Sequence, residues 1–319
     1  MVQDDKVLVT GGAGFIGSHL VEALANARER VVVFDNFTTG SRGNLAAVSA
    51  RVDVVEGDVR DLDSLCRVME GAGVVFHLAA VSAVAPSVKD PLTTNAVNVT
   101  GTLNVLTAAR DAGVRRVVFA SSAAVYGSDP SLPKTETDSP DPLSPYAATK
   151  LAGEVYCRVF AKLYGVEAVS LRLFNVYGPR QNPASEDSGV VTRFLARLAG
   201  GQPPIIDGDG EQSRDLVYVG DVVGAFLRSR EAPGAGGEVF NIGSGHSTTI
   251  NELAETLAGV AAPGRVLRPI HHPARTGDVR HSCADISKAR QILGYAPAVK
   301  LADGLARTHT WWRESGQSP

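Results

Sequence analysis

The stretch Lys6-Val7-Leu8-Val9-Thr10-Gly11-Gly12-Ala13-Gly14-Phe15-Ile16-Gly17 is the best guide to the fold of this chain. Its first five residues form a short, mostly apolar run, which predicts a buried parallel strand. The residues from Ser18 to Ala27 are typical of a helix. Glycines between a strand and a helix permit a tight turn and leave the helix amino terminus facing a pyrophosphate. We therefore predict a dinucleotide site, with contacts from Gly11, Gly14, Phe15, Ile16 and Gly17.

A second predicted strand, Val31-Val32-Val33-Phe34, ends at Asp35. A carboxylate at this position accepts hydrogen bonds from the ribose hydroxyls and repels a 2′-phosphate, so NAD is favoured over NADP. Arg42 is near enough in sequence to leave NADP as a minority alternative. A third strand, Asp53-Val54-Val55-Glu56, leads to Asp58, which either meets the adenine or is a simple turn carboxylate. Asn36 and Val59, beside these carboxylates, complete the predicted adenosine contacts.

Bulk properties narrow the class of protein. A chain of 319 residues with a net charge of −3 carries no broad basic face, so nucleic acid is not an expected partner. The three cysteines lack paired spacing and the seven histidines show no ligand pattern, which predicts neither a disulfide framework nor a metal site. No apolar run reaches membrane-spanning length, and the first strand starts close to Met1. We expect a cytoplasmic protein with no membrane association.

Strand and helix signals alternate from Val7 to about Val169, the pattern of an α/β doubly wound parallel sheet. Later strands are predicted at Val74–Leu78, Val117–Ala120 and Ala168–Leu171. From Asn175 onward the chain is richer in proline and glycine, which indicates a change of architecture.

Tyr146 and Lys150 are the strongest candidates for chemistry. Ser144 is a natural helix N-cap and Pro145 suits the first helical position, so the two residues fall one turn apart on one helix face. An unperturbed phenol titrates near ~10. A neighbouring ammonium and a cationic nicotinamide ring favour phenolate, so we expect the pKa of Tyr146 to be lowered towards neutrality. A base that removes a sugar hydroxyl proton requires this.

These motifs resemble those of the extended short-chain dehydrogenase/reductase family, specifically its nucleotide-sugar epimerases and dehydratases. The resemblance covers essentially the whole chain. Besides the glycine loop, Asp35 and the Tyr/Lys pair, it rests on Gly57-Asp58, His77-Leu78-Ala79-Ala80, Asn98-Val99-Thr100-Gly101-Thr102, Ser121 to Gly127, Phe174 to Gly178 and Arg214-Asp215. It implies a Rossmann domain over 1–174, with a return near 216–242, and a smaller nucleotide-sugar lobe over 175–319.

The resemblance also implies roles for individual residues. Ser122, Tyr146 and Lys150 match the catalytic positions. Leu78, Ala79, Ala80 and Asn98, with Tyr146 and Lys150, match positions that hold the cofactor. Asn175, Arg214, Arg275 and Asp278 match positions that hold the nucleotide diphosphate, and Ser282 matches the position that controls space around C2 of the sugar. Ser122 and Tyr146 also contact the sugar in this pattern.

The residues after Ser122 separate the reactions of the family. Dehydratases place an acid and a base there, but Ala123 and Ala124 have methyl groups that cannot move protons. An epimerase needs only Tyr146, NAD and room to turn a 4-keto intermediate. We therefore expect an NAD-dependent UDP-sugar 4-epimerase for UDP-glucose and UDP-galactose. Ser282 leaves room for N-acetyl forms as well.

Several alternatives stay open at this point. A UDP-glucuronate 4-epimerase is less favoured because its hydroxyl residues are absent at Ala123 and Ala124. A nucleotide-sugar dehydratase or reductase with other acids is a second enzyme class. A dinucleotide-sensing regulator is the non-enzyme alternative, although such proteins typically lose the Tyr/Lys pair. Asp207 stands where relatives often carry an aromatic ring against the nucleotide base, so the identity of that base stays open. The sequence does not determine the physiological sugar.

The resemblance finally implies a homodimer. Members of the family commonly pair two helices of each subunit, which in this chain correspond to the segments near Thr94–Ala112 and Tyr146–Tyr164. Apolar candidates for the contact are Leu103, Val105, Leu106, Val155 and Val159. Some of them must instead face the sheet.

Overall fold

A computed structural model of the chain describes residues 6–182, 189–265, 267–274 and 279–315. The helices and strands are, in order, β1 (Lys6–Thr10), α1 (Phe15–Asn26), β2 (Val31–Asp35), β3 (Val52–Glu56), α2 (Leu62–Met69), β4 (Ala72–His77), α3 (Val84–Lys89), α4 (Pro91–Asn95), α5 (Gly101–Asp111), β5 (Arg116–Ser122), α6 (Pro145–Tyr164), β6 (Glu167–Leu173), β7 (Asn175–Tyr177), α7 (Val190–Ala199), β8 (Ile205–Asp207), β9 (Ser213–Tyr218), α8 (Val219–Ser229), β10 (Val239–Ile242), β11 (Ser247–Thr249), α9 (Ile250–Ala261), β12 (Ile270–His272) and α10 (Leu301–Glu314). Short 3₁₀ turns span Arg42–Val48 and Ala123–Tyr126, and π-helical turns span Ala96–Thr100 and Ala289–Leu293.

The central sheet has seven parallel strands in the order β10-β6-β5-β4-β1-β2-β3. Both faces are covered, and successive residues of β1 enter different cores. Val7 and Val9 join the cluster that includes α1 and α8, whereas Leu8 joins the cluster that includes α2, α5 and α6. Burial on both faces explains why these strands are nearly continuous apolar runs. The predicted fold class is confirmed.

The predicted order of strands and helices in the first half is also found. The first helix begins at Phe15 rather than at Ser18, because the chain enters the helix directly after Gly14, its N-cap. Helix α6 begins as its sequence indicates: the Ser144 hydroxyl caps Ala147 N–H at 3.1 Å, and Pro145 is the first helical residue. Its end is fixed by Gly165, whose φ of 71° is left-handed.

The helix predicted near Thr94–Ala112 is a longer helical stretch from α4 through α5. A π-helical turn, Ala96–Thr100, interrupts it and carries the buried Asn98. One extra residue per turn changes which side chains face inward, and such turns are common at functional sites. This distortion could not be foreseen from spacing alone.

The second half of the chain builds separate small sheets. Strand β9 lies between β7, which is parallel to it, and β11, which is antiparallel, while β8 pairs with β12. Helices α7, α9 and α10 supply a third apolar core that includes Phe194, Leu257 and Trp312. From the predicted return segment, α8 packs against α1 and β10 pairs with β6, whereas residues 216–218 belong to β9. The exact lobe boundaries stay a prediction.

Across the described ranges, no helix combines the length and apolar character needed to cross a membrane. Over those same ranges, no cluster of three or more His, Cys, Asp or Glu side chains is arranged to hold a metal ion.

Candidate active site

The carboxyl end of β5 and the first turns of α6 bring the predicted catalytic residues together. Lys150 is buried, and its Nζ lies 5.8 Å from the centre of the Tyr146 ring. Lys150 Nζ also donates a hydrogen bond of 2.8 Å to the carbonyl oxygen of Ala120, which fixes α6 against β5. Tyr146 N–H donates to Ser87 Oγ at 3.1 Å, which holds the start of α6 against α3.

Ser122 is the last residue of β5 and serves two structural purposes. Its Oγ accepts a hydrogen bond from Ala124 N–H at 3.1 Å and so caps the following 3₁₀ turn. Its side chain also lies close enough to the Tyr146 phenol to influence the pKa of that group. Leu173 is in register with Ser122, so Asn175, two residues further on, starts β7 close to this edge.

The titration of this group differs from the sequence expectation. Burial raises the pKa of Tyr146, and the interaction with Ser122 only partly opposes it. Burial also lowers the pKa of Lys150 to about 8, with Cys157 and Glu154 acting in the opposite direction. The predicted lowering of the Tyr146 pKa is not found in the protein alone, because removal of the phenolate from water dominates there. For the protein with bound cofactor the lowering stays a prediction. The cationic nicotinamide ring that the prediction invoked arrives only with the cofactor.

Glycines occupy the positions of this loop at which a side chain would come too close to neighbouring backbone atoms. Gly11 has a φ of 70°, and a Cβ on it would lie 2.6 Å from Ala79 N. A Cβ on Gly17 would lie 2.2 Å from Gly11 O, and one on Gly14 would lie 3.2 Å from the same atom. The glycines therefore keep the loop tight against the start of α1. This cradle fits a pyrophosphate at a helix amino terminus.

Asp35 connects the end of β2 to this loop. One carboxylate oxygen accepts a hydrogen bond from Ala13 N–H at 2.9 Å, and the other accepts one from Phe37 N–H at 2.8 Å. Arg42, the residue that left NADP open, pairs with Glu56 at 2.8 Å and lies over the ring of Phe37. Its charge is therefore already matched by a carboxylate.

Asp58 lies beside the predicted adenosine contacts. It pairs with Arg60 at 2.7 Å, and Asn36 Nδ2 donates to it at 2.9 Å. The hydrogen bond from Arg60 holds the pKa of Asp58 well below its usual range. Val59 is buried directly after it. These contacts show Asp58 as a turn carboxylate, and its contact with adenine stays a prediction.

His77 organises the opposite side of the loop, and the sequence did not reveal this. Its Nε2 is 2.9 Å from Thr102 Oγ1, and its Nδ1 is 2.7 Å from Thr10 Oγ1. The Thr102 hydroxyl donates its proton to Asn98 O at 2.6 Å, so it accepts from His77 Nε2–H. Burial lowers the pKa of His77 and keeps the ring neutral, so Nδ1 accepts the proton of Thr10. His77 is therefore a neutral histidine with its proton on Nε2.

Asn98 holds the loop that follows β4. Its side chain accepts from Val81 N–H at 2.8 Å and donates to Val81 O and to Thr149 Oγ1, each at 3.0 Å. The loop residues Leu78, Ala79 and Ala80 precede Val81, and Ala79 N–H donates to Thr10 Oγ1 at 3.4 Å. The sequence assigned no role to Thr10, Thr102 or Thr149, because a threonine in a strand or a helix carries no distinctive local signal.

Of the predicted diphosphate and sugar residues, Asn175 and Arg214 lie on the second sheet, and Ser282 lies beside it. Arg214 Nη1 donates to the carbonyl oxygens of Ser213 and Arg280, at 2.9 Å and 3.3 Å. Ser282 N–H donates to Ser213 O at 3.1 Å, and Ser282 Oγ accepts from Asp215 N–H at 3.3 Å. The structure thus brings Arg214 and Ser282 together. Arg275 and Asp278 lie outside the described residues.

Comparison with known proteins defines the family. Residues 7–243 match the profile of the NAD dependent epimerase/dehydratase family. The chain belongs to this family. Both the glycine cradle and the Ser122, Tyr146 and Lys150 group lie within the matched segment.

Individual members of the family match over nearly the whole chain. The UDP-glucose 4-epimerase of Mycolicibacterium smegmatis is 44% identical over 98% of this chain and 100% of its own length. The UDP-glucose 4-epimerase of Thermotoga maritima, solved with UDP-glucose, superposes with a TM-score of 0.91 at 39% identity, covering 97% of this chain and 99% of that one. The UDP-N-acetylglucosamine 4-epimerase of Methanobrevibacter ruminantium was solved with UDP-N-acetylmuramic acid. It superposes with a TM-score of 0.93 at 37% identity, covering 98% of this chain and 100% of that one.

A pair of glycine substitutions tests the cradle. Gly71 has the same φ of 70° as Gly11, but a Cβ on Gly71 would meet no other described atom within 4 Å. We expect Gly71→Ala to lower the free energy of unfolding by ~1–2 kcal/mol through backbone strain alone. Gly11→Ala should cost ~1–3 kcal/mol more through overlap with Ala79, and should reduce the NAD retained on purification. Denaturant unfolding and assay of released nucleotide measure both effects. Equal losses of stability and of retained NAD in the two variants would contradict the proposed role of Gly11 in the cradle.

His77 should make the protein sensitive to acid. Burial lowers the pKa of His77 to about 3, with the charge of Lys150 acting in the same direction. An unfolded histidine titrates near ~6.5, so the stabilisation by neutral His77 is complete above that pH and declines as the pH falls towards about 3. We expect the difference in unfolding free energy between the natural protein and His77→Phe to narrow by about 2 kcal/mol from about pH 7 to about pH 5.

Denaturant titrations at the two pH values measure this difference. The exposed His246, changed to Gln, provides the matched control and should leave the pH dependence unaltered. A His77→Phe difference that stays constant or widens on acidification would show that His77 is not a buried neutral group.

Proposed function

We propose that the protein is an NAD-dependent UDP-sugar 4-epimerase that interconverts UDP-glucose and UDP-galactose. The observation that carries this proposal is the meeting of Ser122, Tyr146 and Lys150 beside the glycine cradle, with Ala123 and Ala124 in the turn that follows. The first three residues supply a proton acceptor and its support. The two alanines supply no further acid or base for elimination of water. The names of the three relatives described above agree with a 4-epimerase reaction.

The chain's own residues divide the work of the reaction. Tyr146 removes the proton of the sugar 4-hydroxyl, and Ser122 holds that hydroxyl in line. Lys150, fixed by Ala120 O, places its positive charge beside the phenol and favours the phenolate. NAD⁺ held by the glycine loop and Asp35 would supply a reversible hydride acceptor for C4 of the sugar. Tyr146 gives the proton back once the 4-keto sugar has turned to present its other face.

The second sheet is proposed to hold the nucleotide. Arg214 projects from β9, and Asn175 starts the neighbouring strand β7, where its partner in register is Leu216. A guanidinium donates in a fork and keeps its charge, which suits a diphosphate. Arg275 and Asp278 are proposed for the same role from the family pattern alone. The relative from Thermotoga maritima was solved with UDP-glucose, which supports UDP as the nucleotide.

Ser282 is proposed to admit a substituent at C2 of the sugar. Its small side chain is half-buried and is tied back to Asp215 N–H, so it adds little bulk beyond β9. The relative from Methanobrevibacter ruminantium is a UDP-N-acetylglucosamine 4-epimerase. We therefore propose that N-acetylated UDP-hexoses are accepted as well.

Loss of the Tyr146 phenol should abolish catalysis without removing the cofactor. We expect Tyr146→Phe to lower kcat by ~10²–10⁴-fold, because Phe keeps the ring but cannot carry a proton. NAD content and UDP affinity should change little. The assay is product analysis with UDP-glucose, UDP-galactose and UDP-N-acetylglucosamine. Tyr156→Phe removes a phenol oxygen elsewhere on α6 and should keep full activity.

Full turnover by Tyr146→Phe would contradict the proposed mechanism. A natural protein that converts none of the three substrates, or that retains no NAD, would contradict the proposed function.

We also propose that the protein is a homodimer that pairs through α6. On this helix Val155 and Val159 are 41% and 36% exposed, and Leu163 is more exposed still. Val88 and Leu92, on α3 and α4, are also exposed, and both short helices contact α6. Val105 and Leu106 instead face the core, as expected for part of the predicted set. Several exposed apolar side chains on one helix and its neighbours suit a contact between subunits.

A charge placed on this surface should dissociate the dimer. We expect Val159→Lys to shift the molar mass towards that of a monomer, because a buried unpaired ammonium opposes association. Val55 on the edge strand β3 is 39% exposed, so Val55→Lys is the matched control and should leave the mass unchanged. Light scattering at micromolar concentration measures both. A natural protein that is strictly monomeric would overturn this proposal.

A further inference from the structure

A buried ion pair lies one turn beyond Lys150 on the same helix face. Tyr146, Lys150 and Glu154 follow one another at intervals of four residues on α6. Glu154 binds Arg172 of β6 in a two-point contact, with Nε to Oε1 at 2.9 Å and Nη2 to Oε2 at 2.8 Å. Both side chains are only 4% exposed. We call these two residues the Glu154–Arg172 pair.

The pair also contacts the strand that ends at the catalytic serine. Ser121 Oγ donates to Glu154 Oε1 at 2.5 Å, and Ser121 is in register with Arg172. Consecutive positions of β5 are therefore tied to successive turns of α6: Ala120 to Lys150 and Ser121 to Glu154. The next position, Ser122, meets Tyr146. A shift between strand and helix would disturb all three contacts at once.

Stability alone is a poor explanation for this arrangement. Removing two charges from water costs several kcal/mol per ion, and a well-packed apolar pair of similar volume is often as stable or more so. The Arg172 guanidinium even has one buried nitrogen, Nη1, without a hydrogen-bond partner within the described part of the chain. Its Cζ lies 4.7 Å from the centre of the Tyr126 ring, which stabilises it only partly. The position of the pair, beside Lys150, calls for another role.

We propose that Glu154, held by Arg172 and Ser121, is a positioning residue that sets the placement and charge of the Tyr146/Lys150 pair. This inference rests on the proposed function and adds residues to the same site. The Glu154 carboxylate favours the ammonium form of Lys150, and Arg172 holds that carboxylate in place through two hydrogen bonds. The pair therefore holds a negative charge at a fixed place one turn from Lys150.

Other groups also face Lys150. Cys157 lies on the same helix, and neutral His77 approaches from β4. The ring of Phe119 on β5 lies 5.0 Å from Lys150 Nζ. Glu154 is the carboxylate among these groups, so replacing it with an amide changes the electrostatic field at Lys150 in a defined direction.

Glu154→Gln tests the proposed electrostatic effect of Glu154 on Tyr146 and Lys150. This change removes the carboxylate charge and leaves the Arg172 guanidinium, which keeps its charge at any working pH. The extra positive field disfavours the ammonium of Lys150 and favours the phenolate of Tyr146. We expect both limbs of the kcat–pH profile to move to lower pH by about 1 unit. A packing defect would lower kcat at every pH without shifting the pH values of the two limbs.

A matched control exists at the other end of the same two strands. Arg116 of β5 is buried and binds Glu167 of β6 through Nε at 3.1 Å and Nη2 at 2.5 Å. Arg116 and Glu167 are the first residues of β5 and β6, whereas Ser122 is the last residue of β5. Glu167→Gln should lower stability but leave the pH profile in place.

The ionisation of Tyr146 can be followed without any substrate. Ultraviolet absorbance of tyrosinate is titrated in the NAD-loaded protein, and the signal of the corresponding Tyr146→Phe protein is subtracted. Glu154→Gln should lower the apparent pKa of Tyr146, and Glu167→Gln should not. Because this reading needs no turnover, it tests the pair even if the natural protein fails to epimerise UDP-sugars.

A double variant covers the case in which Glu154→Gln does not fold. Glu154→Leu with Arg172→Met removes both charges, so no buried ion is left unpaired, and we expect a folded protein that retains NAD. Its kcat should fall by ~10-fold or more with little change in KM, because the strand–helix placement is loosened far from the nucleotide contacts. Full kcat in the double variant would overturn the proposal. An unmoved tyrosinate titration in a folded Glu154→Gln protein would do the same.

Discussion

The strands of the central sheet all run parallel, so their carboxyl ends meet at one edge, and the proposed cofactor and catalytic residues depend on this. Gly11 follows β1, Asp35 and His77 close β2 and β4, and Ser122 closes β5. The strand order reverses between β1 and β4, which opens a crevice for a dinucleotide. Helix α6 then adds Tyr146 and Lys150 from the side, against the end of β5.

Burial is the second determinant of the site, because it controls which groups carry charge. The same removal from water raises the pKa of Tyr146 and lowers that of Lys150, so each group is driven towards its neutral form in the protein alone. His77 is kept neutral and becomes a fixed relay of hydrogen bonds rather than an acid or a base. Hydrogen bonds from neighbouring elements offset the cost of burying these polar groups.

A single carboxylate joins the two sheets at the proposed nucleotide end. Asp215 is fully buried and accepts four hydrogen bonds, from Ser244 N–H and Oγ–H, Gly245 N–H and Ala284 N–H. Burial raises the pKa of Asp215, while these donors act in the opposite direction. The residue thereby fixes its neighbour Arg214 and the segment that carries Ser282 to the loop after β10.

Features that depend on neighbouring residues could be predicted from the amino-acid sequence: the glycine loop, the Ser144 cap with Pro145, and the one-turn spacing of Tyr146 and Lys150. They follow from backbone dihedrals and helical periodicity, which short stretches of chain control. The direction of the Tyr146 pKa, the tautomer of His77 and the pairing of Glu154 with Arg172 emerged only from the folded structure. Each of these depends on desolvation and on contacts between residues far apart in sequence, such as Thr10 with His77 and Ser121 with Glu154, and periodicity carries no information about either.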